Sequence, residues 1–170
     1  MSGTGGKGDR GETPKTQFDD VSHDTSASDD VVVLRPITQA LTGHRRVLVV
    51  DDYRDAAEAL QLLLYADGFE CRALDDPREV CAVAEAWQPF AVVLDIAMPG
   101  LDGLQLARRL RAGSATGHML LVACTALAST SDRRRAKEAG FDAHCAKPLT
   151  PRRLLHLFAT ATMGVSGCPP

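Results

Sequence analysis

The sequence has no apolar run long enough to cross a bilayer. Its uninterrupted apolar stretches, 47–50 and 91–94 among them, fall far short of the roughly 20 residues that a spanning helix needs. The first residues, Met1-Ser2-Gly3-Thr4-Gly5-Gly6, contain no apolar segment behind a basic one, so no secretory signal or transit peptide can be read there. A cytoplasmic location is expected. The five cysteines, Cys71, Cys81, Cys124, Cys145 and Cys168, form no C-x-x-C pair and have no histidine pair at zinc-ligand spacing. That pattern argues against a disulfide framework or a zinc site, and Cys124 and Cys145, which lie in apolar segments, read as small hydrophobes. Internal repeats and heptads are also lacking. Residues 45–170 hold fifteen basic and fifteen acidic side chains, so no overall positive field draws this part to nucleic acid.

What is present is 45% apolar and 24% charged residues over 170 positions, enough for one soluble domain with an extension. The first thirty residues are Gly-, Ser-, Thr- and Asp-rich and are expected to be disordered, because they cannot bury enough surface to offset their ordering entropy. Residues 31–43 read as a linker in which Val31-Val32-Val33-Leu34 could dock as a short strand before Pro36 and Gly43 interrupt it. The organisation that follows is a tail and linker over 1–44, a domain over 45–162 and a short C-terminal tail over 163–170.

From Arg45 onward, short apolar runs alternate with segments of helical period, the pattern of βα units around a parallel sheet. Five strands are predicted at 47–50, 69–74, 90–94, 119–124 and 142–146. The first, third and fourth are apolar throughout, as expected when helices cover both faces. A helix over 54–66 places Ala56, Ala59, Leu60, Leu63 and Leu64 on one stripe and stops at Gly68. A second over 78–87 carries Val80, Val83, Ala84 and Trp87. A third runs from about 104 to 111. The fourth starts near Ser129, spaced for a capping box with Asp132, and closes at Gly140. The last begins at Thr150-Pro151 and carries Leu154, Leu155, Leu157 and Phe158. The fold class is α/β, a doubly wound (βα)₅ domain with a parallel five-stranded sheet.

In open parallel sheets, ligands collect at the carboxyl ends of the strands. Those ends carry Asp51-Asp52, Asp95, Cys124-Thr125 and Lys147-Pro148. Three converging carboxylates repel one another unless a cation neutralises them, and Mg²⁺ suits an all-oxygen cluster. Asp95 could then attack phosphorus while Lys147 spreads the developing charge and Thr125 donates a hydrogen bond to a phosphoryl oxygen. Each residue alone is unspecific, since a D-D pair after a strand is commonly a cap; the set is specific.

The segments Val47-Leu48-Val49-Val50-Asp51-Asp52, Val92-Val93-Leu94-Asp95-Ile96-Ala97-Met98-Pro99-Gly100-Leu101-Asp102-Gly103, Thr125-Ala126, Ala139-Gly140-Phe141-Asp142 and Lys147-Pro148-Leu149 resemble the response-regulator receiver family over about residues 45–162. The separations of 30 residues from Asp95 to Thr125 and 22 from Thr125 to Lys147 are also those of the family. The resemblance implies flavodoxin-like strand order 2-1-3-4-5 and Asp95 as phosphoryl acceptor. It implies Mg²⁺ ligated by Asp52 and Asp95, by Asp51 through water and by the Ala97 carbonyl. Lys147 would pair with Asp95 or the phosphoryl group, Thr125 would be the switch hydroxyl, and the Lys147–Pro148 bond would be cis.

There are two departures. His144 stands where many members carry Tyr or Phe, and it either flips as they do or fills a half-exposed position. Ala97 offers no polar group to place a hydrolytic water.

The implied function is a single-domain response regulator or phosphorelay receiver with self-catalysed phosphotransfer as its only chemistry. Its phosphodonor would be a histidine kinase or a histidine-phosphotransfer protein, the latter because Gly140-Phe141-Asp142-Ala143-His144 is similar to receivers of hybrid histidine kinases. With about eight residues after the last helix, output is expected through a downstream protein partner and not an attached DNA-binding domain. The family's output surface would hold Arg133, Arg134, Arg135, Lys137, Arg152 and Arg153, either a dock for an acidic partner or a solvated basic face. A receiver-shaped interaction protein that no longer phosphorylates is the competing class; the intact set of Asp51, Asp52, Asp95, Thr125 and Lys147 favours the first.

Overall fold

A computed structural model describes residues 31–37, 45–126, 128–149 and 151–163. The expected disorder of the first thirty residues, the C-terminal tail and the Thr150 cap lie outside them. In chain order the elements are β1 (Val31–Val33), β2 (Arg46–Val50), α1 (Arg54–Ala66), β3 (Glu70–Leu74), α2 (Val80–Trp87), β4 (Ala91–Leu94), α3 (Gly103–Ala112), β5 (Leu120–Thr125), α4 (Thr130–Ala139), β6 (Ala143–Ala146) and α5 (Pro151–Met163).

The sheet has six strands, not five, in the order β1-β6-β5-β4-β2-β3. Strands β2 to β6 are parallel and keep the expected doubly wound order. The extra strand, β1, adds antiparallel to β6 with Val31, Val32 and Val33 opposite Cys145, His144 and Ala143. It forms because the edge of β6 would otherwise present unpaired backbone groups, and the valines before Pro36 suit a short edge strand.

The central strands β4 and β5 are buried at every position, which explains their apolar sequence up to Thr125. Two apolar clusters lie on opposite faces of the sheet. One joins Leu48, Val92 and Leu121 to Val80, Leu106, Leu110 and Ala136 of α2, α3 and α4; the other joins Val49, Val93 and Val122 to Leu64 of α1 and Leu154 and Phe158 of α5. The α1 stripe sits differently from its sequence reading. Ala57 and Leu64 are the buried residues of the helix, whereas Ala59 is exposed and Leu63 is 47% exposed.

Local signals fix the ends of α4 as read, whereas α2 starts at Val80, two residues later than expected, with no side-chain cap. Ser129 and Asp132 form the reciprocal capping box of α4, and Gly140 ends it in the left-handed region at φ 102°. Beyond Gly140 the chain is held by Arg111 of α3. Its Nε donates to the Gly140 carbonyl at 2.7 Å, its Nη1 donates to the carbonyls of Gly117 (2.8 Å) and Met119 (2.7 Å), and its Nη2 pairs with Asp142. The Asp142 carboxylate also accepts from the Leu121 N–H at 2.9 Å. This satisfied, partly buried network locks the entrances of β5 and β6, and so the positions of their far ends.

Candidate functional site

Because β2, β4, β5 and β6 run parallel, their last residues share one edge of the sheet. Asp51 follows β2, Asp95 follows β4, Thr125 ends β5 and Lys147 follows β6. Backbone bonds continue the ladder just past the strands: Asp95 N–H to the Val50 carbonyl at 2.9 Å, and Lys147 N–H to the Thr125 carbonyl at 3.0 Å. The functional side chains therefore emerge from rigid backbone, which is how reactive groups are held to a small tolerance.

Asp51, Asp52 and Asp95 each direct a carboxylate oxygen to a common point, all within 4.8 Å of one another. Asp51 and Asp95 are 7% exposed, while Asp52 is on the rim. The Lys147 ammonium bridges the two buried ones, donating to Asp51 Oδ2 at 2.6 Å and to Asp95 Oδ2 at 2.7 Å. Their other oxygens accept backbone N–H groups, Asp51 Oδ1 from Tyr53 at 3.0 Å and Asp95 Oδ1 from Ala97 at 2.9 Å. Burial would lower the Lys147 pKa, but the hydrogen bonds to Asp51 and Asp95 and their charges outweigh it and raise it above its ordinary 10.5. One ammonium against three carboxylates leaves a formal charge of −2 in an all-oxygen pocket, which fits a hard divalent cation such as Mg²⁺.

Thr125 is fully buried, and Ala97 is exposed in the loop after β4. Pro148 is exposed and the Lys147–Pro148 bond is cis. His144 does not join this cluster. The half-exposed reading of it is corrected: it is 1% exposed, because β1 runs beside β6 with Val32 opposite His144. Its neighbours Ala143 and Cys145 belong to the α5-side cluster, so strand alternation turns His144 toward α4. At the start of α4 the Asp132 carboxyl is held below the usual carboxylate range, chiefly by the hydrogen bond from Ser129. Cys124 lies under the site, and burial pushes its thiol up to about 12, the behaviour of an inert core residue.

Residues beyond the predicted set complete the site. Gly103 opens α3 directly behind Asp95, and a Cβ there would lie 2.6 Å from the Asp95 carbonyl oxygen and 2.7 Å from Ile96 Cα. Gly103→Ala is expected to destabilise the chain by ~1–3 kcal/mol, because backbone and not a flexible side chain would have to move. Urea unfolding measures this, and an unchanged midpoint would mean that α3 is not packed so tightly against the acidic loop. An open groove of about 250 Å³ lies beside Asp51 and Lys147, with Leu60, Leu63, Leu149 and Pro151 on its walls. The stray Leu63 of the α1 stripe is thus part of the rim of the site.

Residues 47–159 match the family model described as the response regulator receiver domain. Among curated proteins the chain is similar to the response regulator MprA of Mycolicibacterium vanbaalenii, 40% identical over 111 residues that make up 65% of this chain and 47% of that protein. It is similar also to the DNA-binding response regulator MtrA of Mycobacterium tuberculosis, 33% identical over 114 residues, 67% of this chain and 49% of that one. The chain spans about half the length of these relatives. Among solved structures, a putative response regulator from Chloroflexus aurantiacus aligns with a TM-score of 0.66 at 29% identity, covering 71% of this chain and 99% of that one. The chemotaxis protein CheY4 of Vibrio cholerae, at 24% identity and a TM-score of 0.65 over 69% of this chain and 98% of that one, shares the fold.

Proposed function

The chain belongs to the response-regulator receiver family, whose members work with histidine kinases and generally bind Mg²⁺ at an acidic pocket, and on that premise we propose that it accepts a phosphoryl group on Asp95. The donor is a phosphohistidine, on a histidine kinase or a histidine-phosphotransfer protein. The observation that carries this reading is the placement of Asp95: buried, clamped at both oxygens, and within reach of two further carboxylates and an ammonium.

A lone pair on an Asp95 carboxylate oxygen forms the new O–P bond as the P–N bond to the donor imidazole breaks, and the electron pair stays on the ring nitrogen. The Ala97 N–H, bonded to Oδ1, fixes the carboxylate plane, which supplies the orientation that an in-line displacement requires. Lys147 holds Asp95 before transfer and offsets charge on the phosphoryl oxygens after it. Asp51, Asp52, Asp95 and the Ala97 carbonyl are the groups that would hold Mg²⁺, which when bound supplies Lewis-acid stabilisation of the phosphoryl oxygens. Thr125, at the end of a fully buried strand, donates its hydroxyl to a phosphoryl oxygen and carries the change into the loop that leads to α4. The apolar walls beside Lys147 give a protein donor a surface on which to exclude water. Output passes to a downstream protein partner. The chain's own chemistry is limited to accepting and losing the phosphoryl group.

With Mg²⁺ and a small acyl phosphate donor, the intact chain should gain the mass of one phosphoryl group, and alkali should remove it, as an acyl phosphate requires. Chelation with EDTA is expected to slow labelling by roughly 10²-fold or more. Absence of labelling in a folded protein would count against the proposal and in favour of a receiver-shaped interaction protein.

A further inference from the structure

The outer edge of β6 is covered by β1. An uncovered sheet edge is a template for an added strand, and here the chain supplies that strand from a segment weakly held by comparison with the core. β1 has three residues. Val33 is 55% exposed, Val31 and Val32 are half-buried, and among the described residues no strand lies on its far side. Beyond the ladder it is fastened by the Leu34 and Arg35 N–H groups on the Asp142 carbonyl, at 2.7 and 3.2 Å, and by Arg35 Nη1 on the Gly140 carbonyl at 3.3 Å. Elements with so few buried contacts open at a fraction of the global unfolding free energy.

The occupant shows what the edge accepts. Val31 and Ile37 pack on the cluster that contains α5, and Leu34 packs on the opposite cluster beneath α4. Extended chain with apolar residues on both faces is therefore matched on both sides of the sheet. The flanking helices are basic: Arg134, Arg135 and Lys137 of α4 and Arg152 of α5 are exposed, and the buried Nε of Arg133 has no hydrogen-bond partner among the described residues. β1 starts beside Cys145, and the residues immediately before it in sequence are Asp29 and Asp30.

We infer that the outer edge of β6, between α4 and α5, is a strand-docking site that the chain's own Val31–Val33 occupies. In trans it takes an extended segment of a partner protein with apolar residues on both faces and an acidic N-terminal flank. The partner displaces β1 to bind. The intramolecular strand competes at an effective concentration of about 1 mM, so the intact site is partly closed.

The Leu34–Asp142 bond sets the alternation of the antiparallel ladder, making Val32 and His144 the next hydrogen-bonded pair. Val32→Pro removes that donor and opens the edge. The probe is a fluorescent peptide with the sequence of residues 28–37. It should bind the full-length Val32→Pro chain at least ~10-fold more tightly than the wild-type chain, lose affinity as salt rises, and fail to bind when the peptide itself carries Val32→Pro. Equal binding to both chains, or by both peptides, overturns the inference.

Hydrogen exchange on the wild-type chain decides the matter if the variant does not fold. Excess unlabelled peptide should speed exchange of the Val32 and Leu34 amides and leave Val93 and Val122 in the central strands unchanged. No acceleration overturns it.

Discussion

Asp95→Asn is expected to reduce phosphoryl labelling to background, a loss of roughly 10³-fold or more, without loss of the fold. Asparagine matches the shape of aspartate, and its Oδ1 can still accept the Ala97 N–H that Asp95 Oδ1 accepts at 2.9 Å. What disappears is the nucleophilic oxygen and one negative charge. The amide nitrogen would face the Lys147 ammonium, donor against donor, but Lys147 keeps its 2.6 Å bond to Asp51 Oδ2. One of three carboxylates whose oxygens lie within 4.8 Å is neutralised, which relieves repulsion in the absence of a divalent ion. Thermal unfolding in EDTA should therefore be no lower than wild type, and the rise in Tm on adding Mg²⁺ should be smaller. Intact-mass labelling and a melting curve separate the two effects. Labelling of the variant at the wild-type rate would remove Asp95 from its role.

The same features that position Asp95 make it legible in the sequence. Parallel strands buried on both faces are apolar almost throughout, so β4 and β5 mark their own ends, and the first polar residue past β4 is the proposed acceptor. Asp51 and Lys147 were found by the same logic at the ends of β2 and β6, and their meeting follows from strand direction alone.

The phase of α1 was not legible. Leu62, Leu63 and Leu64 are three consecutive leucines, and a run of identical apolar residues carries no period; only packing against the sheet selects Leu64 and leaves Leu62 69% and Leu63 47% exposed. Close backbone approach is equally silent, because Gly103 differs from a loop glycine only in having the Asp95 carbonyl behind it. The burial of His144 depended on a strand about 110 residues earlier in the chain, whose valines show strand propensity but neither partner nor direction. Arg111 reads as one of several basic residues on a helix until its carbonyl acceptors are seen.

Lys147→Met is expected to slow labelling by ~10²–10³-fold, the usual cost of deleting one preorganised charge from a transfer site, and not to abolish it, because Asp95 remains. Its effect on stability should differ from that of Asp95→Asn. Removing the ammonium leaves Asp51 and Asp95, each 7% exposed, facing each other without their shared cation. A loss of ~1–3 kcal/mol is expected in EDTA, below the full cost of a broken buried pair because the Lys147 side chain is itself 29% exposed.

Lys147 and a divalent ion draw on the same carboxylates, and at a few ångströms their repulsion is worth ~1 kcal/mol or more even in a water-like dielectric. Mg²⁺ binding should therefore tighten by about 10-fold in the variant, and excess Mg²⁺ should restore most of the lost stability.

The pH dependence has a definite sign. Because the folded-state pKa of Lys147 is raised from its ordinary 10.5, its contribution is fully present below that value and disappears only as pH climbs through the higher folded one. The stability gap between wild type and variant in EDTA should stay constant with respect to Lys147 ionisation from neutrality to mildly alkaline pH. A variant with slow labelling and unchanged Mg²⁺ affinity would mean that the ammonium does not share the carboxylates with the metal. Labelling at the wild-type rate would mean that charge at Lys147 plays no part in transfer.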